Sequence, residues 1–499
     1  MKKAFSIIGI LLLCFIAVIL FRTFTFQSKQ ITVQNHPALT LNDSCVHRLQ
    51  EAIRFKTISF DDPKLMDSAA FLGFQNFLIK SYPNVFSSME LEKVNQFSLL
   101  LRWKGKSATA KPIVLMAHQD VVPVEEATLK LWQTEPFEGI IKDGFIYGRG
   151  TIDDKGSLIA ILESAEMLLK QGLVPETDIY FVFGHDEEIM GLKGAKTIAE
   201  IFEERKISPE FVLDEGGIIT TYKVPGLNKT AAVIGVAEKG YQTIELKVNI
   251  NGGHSSMPED KTAIDELAKA IVKLKEQPFE AEITPIVRNF LDYIGPEMPF
   301  VSKMAMANQW LFKPLILSNY SKSGAGNATI RTTTATTIIE AGVKENIIPG
   351  EAKAIVNFRT QPGVTGKDVI SHIKKVIAND SVLVTTIGNG NETTQIAQVN
   401  SPSFNYIQKN VAALQKDIVV APYLVLGATD GRYFGNITSQ VFRFIPFTDP
   451  EGFHGVNERL IPIIVAKVII QKKLPPKVEA KLFGSRTVSK LLVKKSAKT

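Results

Sequence analysis

The chain has 499 residues, 45% of them hydrophobic and 22% charged, with a formal net charge of +6. These values exclude a disordered or collagen-like chain, and the length exceeds what one hydrophobic core supports, so two folded domains plus a tail are expected. Outside the C-terminal stretch charge is near balance, which gives no reason to expect a nucleic-acid partner. Of the two cysteines, Cys14 lies in an apolar run, which excludes a disulfide framework.

The chain opens with Lys2 and Lys3 before an apolar run at 4–21 broken only by Ser6. A bilayer core needs about 17–25 helical residues, whereas the apolar region of a signal peptide spans about 7–15. No small-residue cleavage site follows, because 22–26 is bulky. Residues 1–28 therefore read as an uncleaved anchor, with the lysine end cytoplasmic and the folded body outside the cytoplasm. A cleaved signal peptide, giving a secreted protein, is the alternative; a buried core helix is the third reading.

Helices are expected at 43–55 and 67–81, and a short buried strand at 112–117. A helix at 156–171 places Leu158, Ile161, Leu162, Ala165 and Leu168 on one face. A strand at 178–183, a helix at 194–205 and a strand from 210 follow. This alternation implies an α/β fold, a mostly parallel sheet with helices on both faces. Near 239 the pattern changes: 242–249 and 353–359 alternate polar and apolar, as half-exposed antiparallel strands do, with helices at 265–276 and 367–378. The expectation is a catalytic domain in two parts, 40–238 and 396–471, interrupted by a smaller α+β lid or dimerisation domain at 239–395. Residues 290–334 show no clear period. A helix at 403–414 and a strand at 440–445 return the chain to the large domain. The basic tail 472–499 reads as a solvated end, or as one drawn to a phospholipid surface.

Five motifs carry chemistry. His118-Gln119-Asp120 follows the 112–117 strand, and ligands of parallel sheets gather at the C-terminal ends of strands. A carboxylate two residues beyond a histidine can bond its second nitrogen and fix its tautomer. Asp153 and Asp154 stand in a glycine-rich turn before a helix, where either one could instead cap that helix. Asp186, Glu187 and Glu188 end the 178–183 strand, and three adjacent acids call for a cation or raised pKa values. Asp214 and Glu215 end the next strand, and His454 lies late in the chain. Histidine and carboxylate together suit zinc, with cobalt or manganese as alternatives, and a bridging carboxylate would allow two ions.

The order HQDVVP, GRGTIDDKG, GHDEE, LDEGG, GGHSSMP and HGVNE resembles the zinc metallopeptidase family of aminoacylase, carboxypeptidase S, bacterial glutamate carboxypeptidase and succinyl-diaminopimelate desuccinylase. Within it the resemblance is nearest to carboxypeptidase S and the secreted N-acyl amino-acid hydrolases. It implies two Zn2+ bridged by Asp153, with His118 and Asp214 completing one site and Glu188 and His454 the other; Glu215 is the alternative to Asp214. It makes Glu187 the catalytic acid/base, Asp120 the orienter of His118, and the 153–154 peptide bond cis. His254 would reach the scissile carbonyl, in some members from a partner subunit, so a homodimer through the inserted domain is expected. Arg359 would clamp the substrate carboxylate, as a guanidinium does in bidentate fashion.

The function so implied is hydrolysis of an amide bond beside a free carboxylate. Glu187 would take a proton from water whose pKa the metals lower and pass it to the leaving amine. A carboxypeptidase S-like metallopeptidase is the main reading, and an N-acyl amino-acid hydrolase, open to synthesis as well as hydrolysis, is the alternative. A rival of another class is a membrane-tethered binding protein without catalysis; the intact Glu187 and ligand set argue against it.

Overall fold

Strands that are apolar at every position alternate with amphipathic helices, and the result is a nine-stranded mixed sheet. The computed structural model describes residues 2–33 and 43–461. The basic tail and the end of the second catalytic segment lie outside these residues. In the middle of the sheet, Ile113–His118 runs parallel to Ile179–Gly184 on one side and to Phe211–Asp214 on the other. Val441–Arg443 pairs parallel with Phe211–Asp214. The Glu90–Val94 and Ser98–Trp103 edge is antiparallel. Ile113–His118 and Ile179–Gly184 are buried at all six positions, because helices cover both faces. One face packs Leu158 and Leu162 of helix Lys155–Lys170 with Leu49 and Ile53 of helix Asp43–Arg54. The other packs Ile198 and Phe202 of helix Ala195–Glu204 with Phe434.

A second, four-stranded antiparallel sheet contains Thr333–Ala341, Glu351–Thr360, Gly240–Asn249 and Val382–Asn391 in that order. Gly240–Asn249 alternates buried and half-buried residues up to its last position. Its inner face packs Ile244, Leu246 and Phe358 against Leu267 and Ile373 of helices Ala263–Glu276 and Gly366–Ile377. Both helices start with a capping box, Thr262 with Asp265 and Thr365 with Asp368, in which side chain and backbone satisfy each other's free groups.

The stretch without a clear period is helical: Pro285–Ile294, Phe300–Ala307, Gln309–Tyr320 and Gly324–Ile330. Although it lies between elements of the small sheet, Phe290, Leu291, Ile294, Ile316 and Tyr320 pack into the core of the large one. The N-terminal helix Lys2–Phe24 is long and apolar enough to cross a membrane, and none of its most apolar window is buried. It is therefore no buried core helix; its length and composition fit a signal anchor or a signal peptide. The segment after it is tied to the body. The Gln30 side chain accepts from the Val420 N–H and donates to the carbonyls of Val420 and Tyr293.

Candidate metal centre and its cavity

His118 ends its strand facing away from solvent. Its Nδ1 donates to the Asp120 carbonyl at 3.0 Å and lies 3.3 Å from the Asp120 carboxylate. That leaves Nε2 turned toward Asp153 Oδ1 at 2.8 Å and Glu215 Oε1 at 3.4 Å. Asp120 does more than face the histidine. Its carboxylate accepts the Ser59 hydroxyl at 2.7 Å and the backbone N–H groups of Glu187 and Glu188, each at 3.1 Å. The other Asp153 oxygen lies 2.8 Å from His454 Nε2, which is 3.1 Å from Glu188 Oε2. Asp153 thus stands between two histidines from opposite ends of the chain. The Asp153–Asp154 peptide is cis, as expected.

The loop presenting Asp153 is held from beneath. Glu458 accepts the backbone N–H groups of Ile152 at 2.8 Å and Asp153 at 3.3 Å, and pairs with Arg149 at 2.6 Å. Arg149 also donates to the carbonyls of His454 and Gly455. One buried ion pair therefore ties the Asp153 turn to the His454 turn. Gly150 sits at φ +86°, where a Cβ would come within 2.7 Å of the Val121 side chain. The functional reading of the sequence passed over Glu458, Arg149 and Ser59. The signal for the first two was a pair of opposite charges inside two otherwise glycine-rich motifs.

Asp154 is fully buried, and neither of its carboxylate oxygens has a partner among the described residues; Glu188 Oε1 is equally orphaned. Asp154 does not cap the following helix with its side chain. Burial raises Asp154 and Glu187 well above the usual carboxylate range. Burial, then the Asp153 charge, pushes Glu188 to about 7 and Glu215 to about 8. The nearby lysine and arginine do not relieve the cluster: Lys155 Nζ donates to the carbonyls of Ala52 and Phe55, and Arg149 is paired with Glu458. Leaving several carboxylates buried and unpaired is costly, and oxygen and imidazole donors that converge on one point fit a divalent cation. His118, Asp153 and Glu188 offer ligand atoms within 4.8 Å of one another, and so do His118, Asp154 and Glu215.

Of the two open candidates, Asp214, the preferred one, and Glu215, the geometry turns Glu215 toward His118. Asp214 Oδ2 turns away to accept the Gly431 N–H at 2.6 Å, while Glu215 faces His118. Two other expected site residues lie outside the cluster. His254 is exposed on the short strand Gly253–His254, where its Nδ1 accepts from the Ser256 hydroxyl and N–H. Arg359 lies over the Tyr241 ring at 4.6 Å on the small sheet and has no ion pair among the described residues. Neither lines the cavity next to the cluster.

That cavity, about 630 Å3, opens on Asp153, Glu187, Glu188, Glu215 and His454. From there its wall is mainly apolar, with Ile218, Val224, Val233, Phe290, Tyr423 and Phe453. The wall draws on strands of the large sheet and on the helical stretch 285–330.

Comparison with known proteins agrees with this arrangement. The model of peptidase family M20/M25/M40 matches residues 114–468. A probable carboxypeptidase S-like 2 of Dictyostelium discoideum is 41% identical over 91% of this chain and 89% of its own length. The human N-fatty-acyl-amino acid synthase/hydrolase PM20D1 is 36% identical over 83% of each chain. Among solved structures, the M20 family metallo-carboxypeptidase Sso-CP2 from Sulfolobus solfataricus superposes with a TM-score of 0.60 at 19% identity. It covers 86% of this chain and 97% of that one, a likeness of fold.

Proposed function

This chain is a hydrolase that belongs to peptidase family M20/M25/M40, and from that membership we propose that it cuts the amide bond between a long apolar acyl group and an amino acid bearing a free carboxylate. The observation that carries the substrate class is the mainly apolar cavity opening directly onto the acidic cluster. A relative named for N-fatty-acyl-amino acids supports the same reading. A carboxypeptidase on short peptides is the second reading, supported by the carboxypeptidase S-like relative.

Two zinc ions, or cobalt or manganese in their place, would be held by Asp153 between them, by His118 and Glu215 on one side, and by Glu188 and His454 on the other. When bound, such a pair supplies Lewis-acid polarisation and lowers the pKa of water. The chain's own residues do the rest. Asp120 fixes the His118 tautomer by standing at Nδ1. Glu187 takes a proton from the attacking water as the new carbon–oxygen bond forms. It delivers that proton to the amine nitrogen as the carbon–nitrogen bond breaks. The charge of bound ions would favour its carboxylate form, the form that accepts the proton. Arg359 and His254 would act on the carboxylate and carbonyl from the small-sheet side. The exposed edge strand Thr333–Ala341 supports a second copy pairing there. The N-terminal helix would anchor the body outside the cytoplasm, with a cleaved signal peptide and a secreted protein as the alternative.

The test is a series of N-acyl amino acids of rising chain length, with dipeptides, on the zinc-loaded enzyme and Glu187→Gln as blank. Each buried methylene contributes about 0.8 kcal/mol, so kcat/KM should rise about fourfold per carbon until the cavity is full. Faster turnover of dipeptides, with no gain from chain length, would move the assignment to a carboxypeptidase.

A further inference from the structure

The helical stretch 285–330 faces two ways. Inward, Phe290, Tyr320 and Thr329 line the cavity. Outward, helix Gln309–Tyr320 exposes Trp310, Leu311 and Leu315, and the preceding helix exposes Phe300 and Val301. Val301 is 72% and Leu315 62% exposed, although buried Ile316 and Tyr320 already anchor that helix to the core. Positions 310, 311, 314 and 315 recur as one helical face, so the outward apolar surface is continuous. Lys313 and Lys322 are exposed on the same stretch.

This surface abuts the N-terminal helix. The Phe15 and Trp310 rings meet edge to face at 5.9 Å, and Phe24 meets Phe300 at 5.9 Å. Asn308 Nδ2 donates to the Ile19 carbonyl at 3.2 Å, and Arg22 Nε to the Ala307 carbonyl at 3.3 Å. Phe15 and Phe24 lie nine residues apart in one helix, a rise of roughly 13 Å. A contact at Phe15 therefore lies well inside the span that the N-terminal helix would place in lipid. A body docked that far along a spanning helix meets the hydrocarbon with whatever side chains stand beside it.

We propose that the outer face of residues 300–315 is a membrane-seated surface, embedded at the acyl boundary of a phospholipid bilayer beside the N-terminal helix, and that the acyl substrate enters the cavity from the lipid. Lipid is the occupant because the face is continuous with a helix long and apolar enough to span it. The flanking lysines suit a phosphate-bearing headgroup layer. The entry route rests on the substrate class proposed above; the seating of the surface does not.

The experiment uses the full chain reconstituted in phosphatidylcholine vesicles, with and without bromine on the acyl chains. The chain has three tryptophans, and Trp103 and Trp132 belong to the large domain. Brominated lipid should quench part of the emission, and Trp310→Phe should remove the quenched part. Equal emission in both vesicles overturns the seating, and equal emission with a dimeric mass in detergent assigns the face to a second copy instead. For the route, Leu311→Glu with Leu315→Glu should lower kcat/KM for a long-chain N-acyl amino acid in vesicles by roughly tenfold or more. Turnover of a water-soluble N-acetyl amino acid should stay unchanged. Equal effects on both substrates overturn the route. If no N-acyl amino acid of any length is cleaved, the substrate class and the route fall together, while the quenching result still decides the seating.

Discussion

Asp120 accepts the backbone N–H of Glu187 at 3.1 Å, so the carboxylate that faces His118 also fixes the turn carrying the acid beside it. Two functions that look separate in sequence share one buried group. Replacing Asp120 with Asn keeps the shape but removes the charge and an acceptor from a site that serves Ser59, Glu187, Glu188 and His118. Metal affinity should fall roughly 10–100-fold, with a drop in kcat beyond what restored metal recovers. Metal titration followed by kinetics at saturating metal checks both parts.

Glu187→Gln should lower kcat by roughly 100-fold to 10,000-fold while bound metal stays near that of the unchanged chain. The amide matches the carboxyl in size but cannot accept the proton of water. Near-normal turnover in this variant would remove Glu187 from the mechanism.

Asp214 and Glu215 are neighbours that turn to different partners, the Gly431 N–H and His118, and their variants should separate. Glu215→Gln should weaken one metal site and leave the other. Asp214→Asn should keep the metal stoichiometry. It should cost about 1–3 kcal/mol of stability, because Asp214 holds the Gly431 N–H through a charge-assisted bond. Elemental analysis and thermal unfolding of the two proteins test this, and the reverse pattern would restore Asp214 as the ligand.

The chelated chain should lose stability as pH rises. Glu188 at about 7 and Glu215 at about 8 in the folded chain lie above the ordinary value of about 4.3 for glutamate in an unfolded chain. Between these limits the unfolded state binds fewer protons, so unfolding is favoured as pH increases, and His454, raised to about 10 by Asp153 and Glu188, carries the loss beyond about pH 8. Bound metal replaces the missing cation, so the loaded enzyme should show a flatter Tm profile. Parallel Tm curves for chelated and loaded protein would contradict the origin assigned to these raised acids.

Much of this molecule can be read from local order in the chain. The apolar run before His118 becomes a central strand that delivers it to the C-terminal end of the sheet. The contrast of faces in 156–171 marks a helix, and the run after Lys3 marks a helix of bilayer length. These signals survive because burial on both faces, or on one face, leaves a period in the sequence. The helices at 300–320 left none, since apolar side chains stand on both their inward and outward sides and the contrast cancels.

Local order in the chain marks the residue types that carry the chemistry: His118, Glu187 and Glu188 at strand ends, Asp153 and His454 in turns. Which of Asp214 and Glu215 turns toward His118 follows from packing alone. Alternation says that adjacent side chains diverge, not which one meets a partner 97 or more residues away. The same holds for the orphaned Asp154, for the Arg149–Glu458 tie, and for the apolar cavity. Each is made by segments distant in the chain, and packing brings together what no local period records.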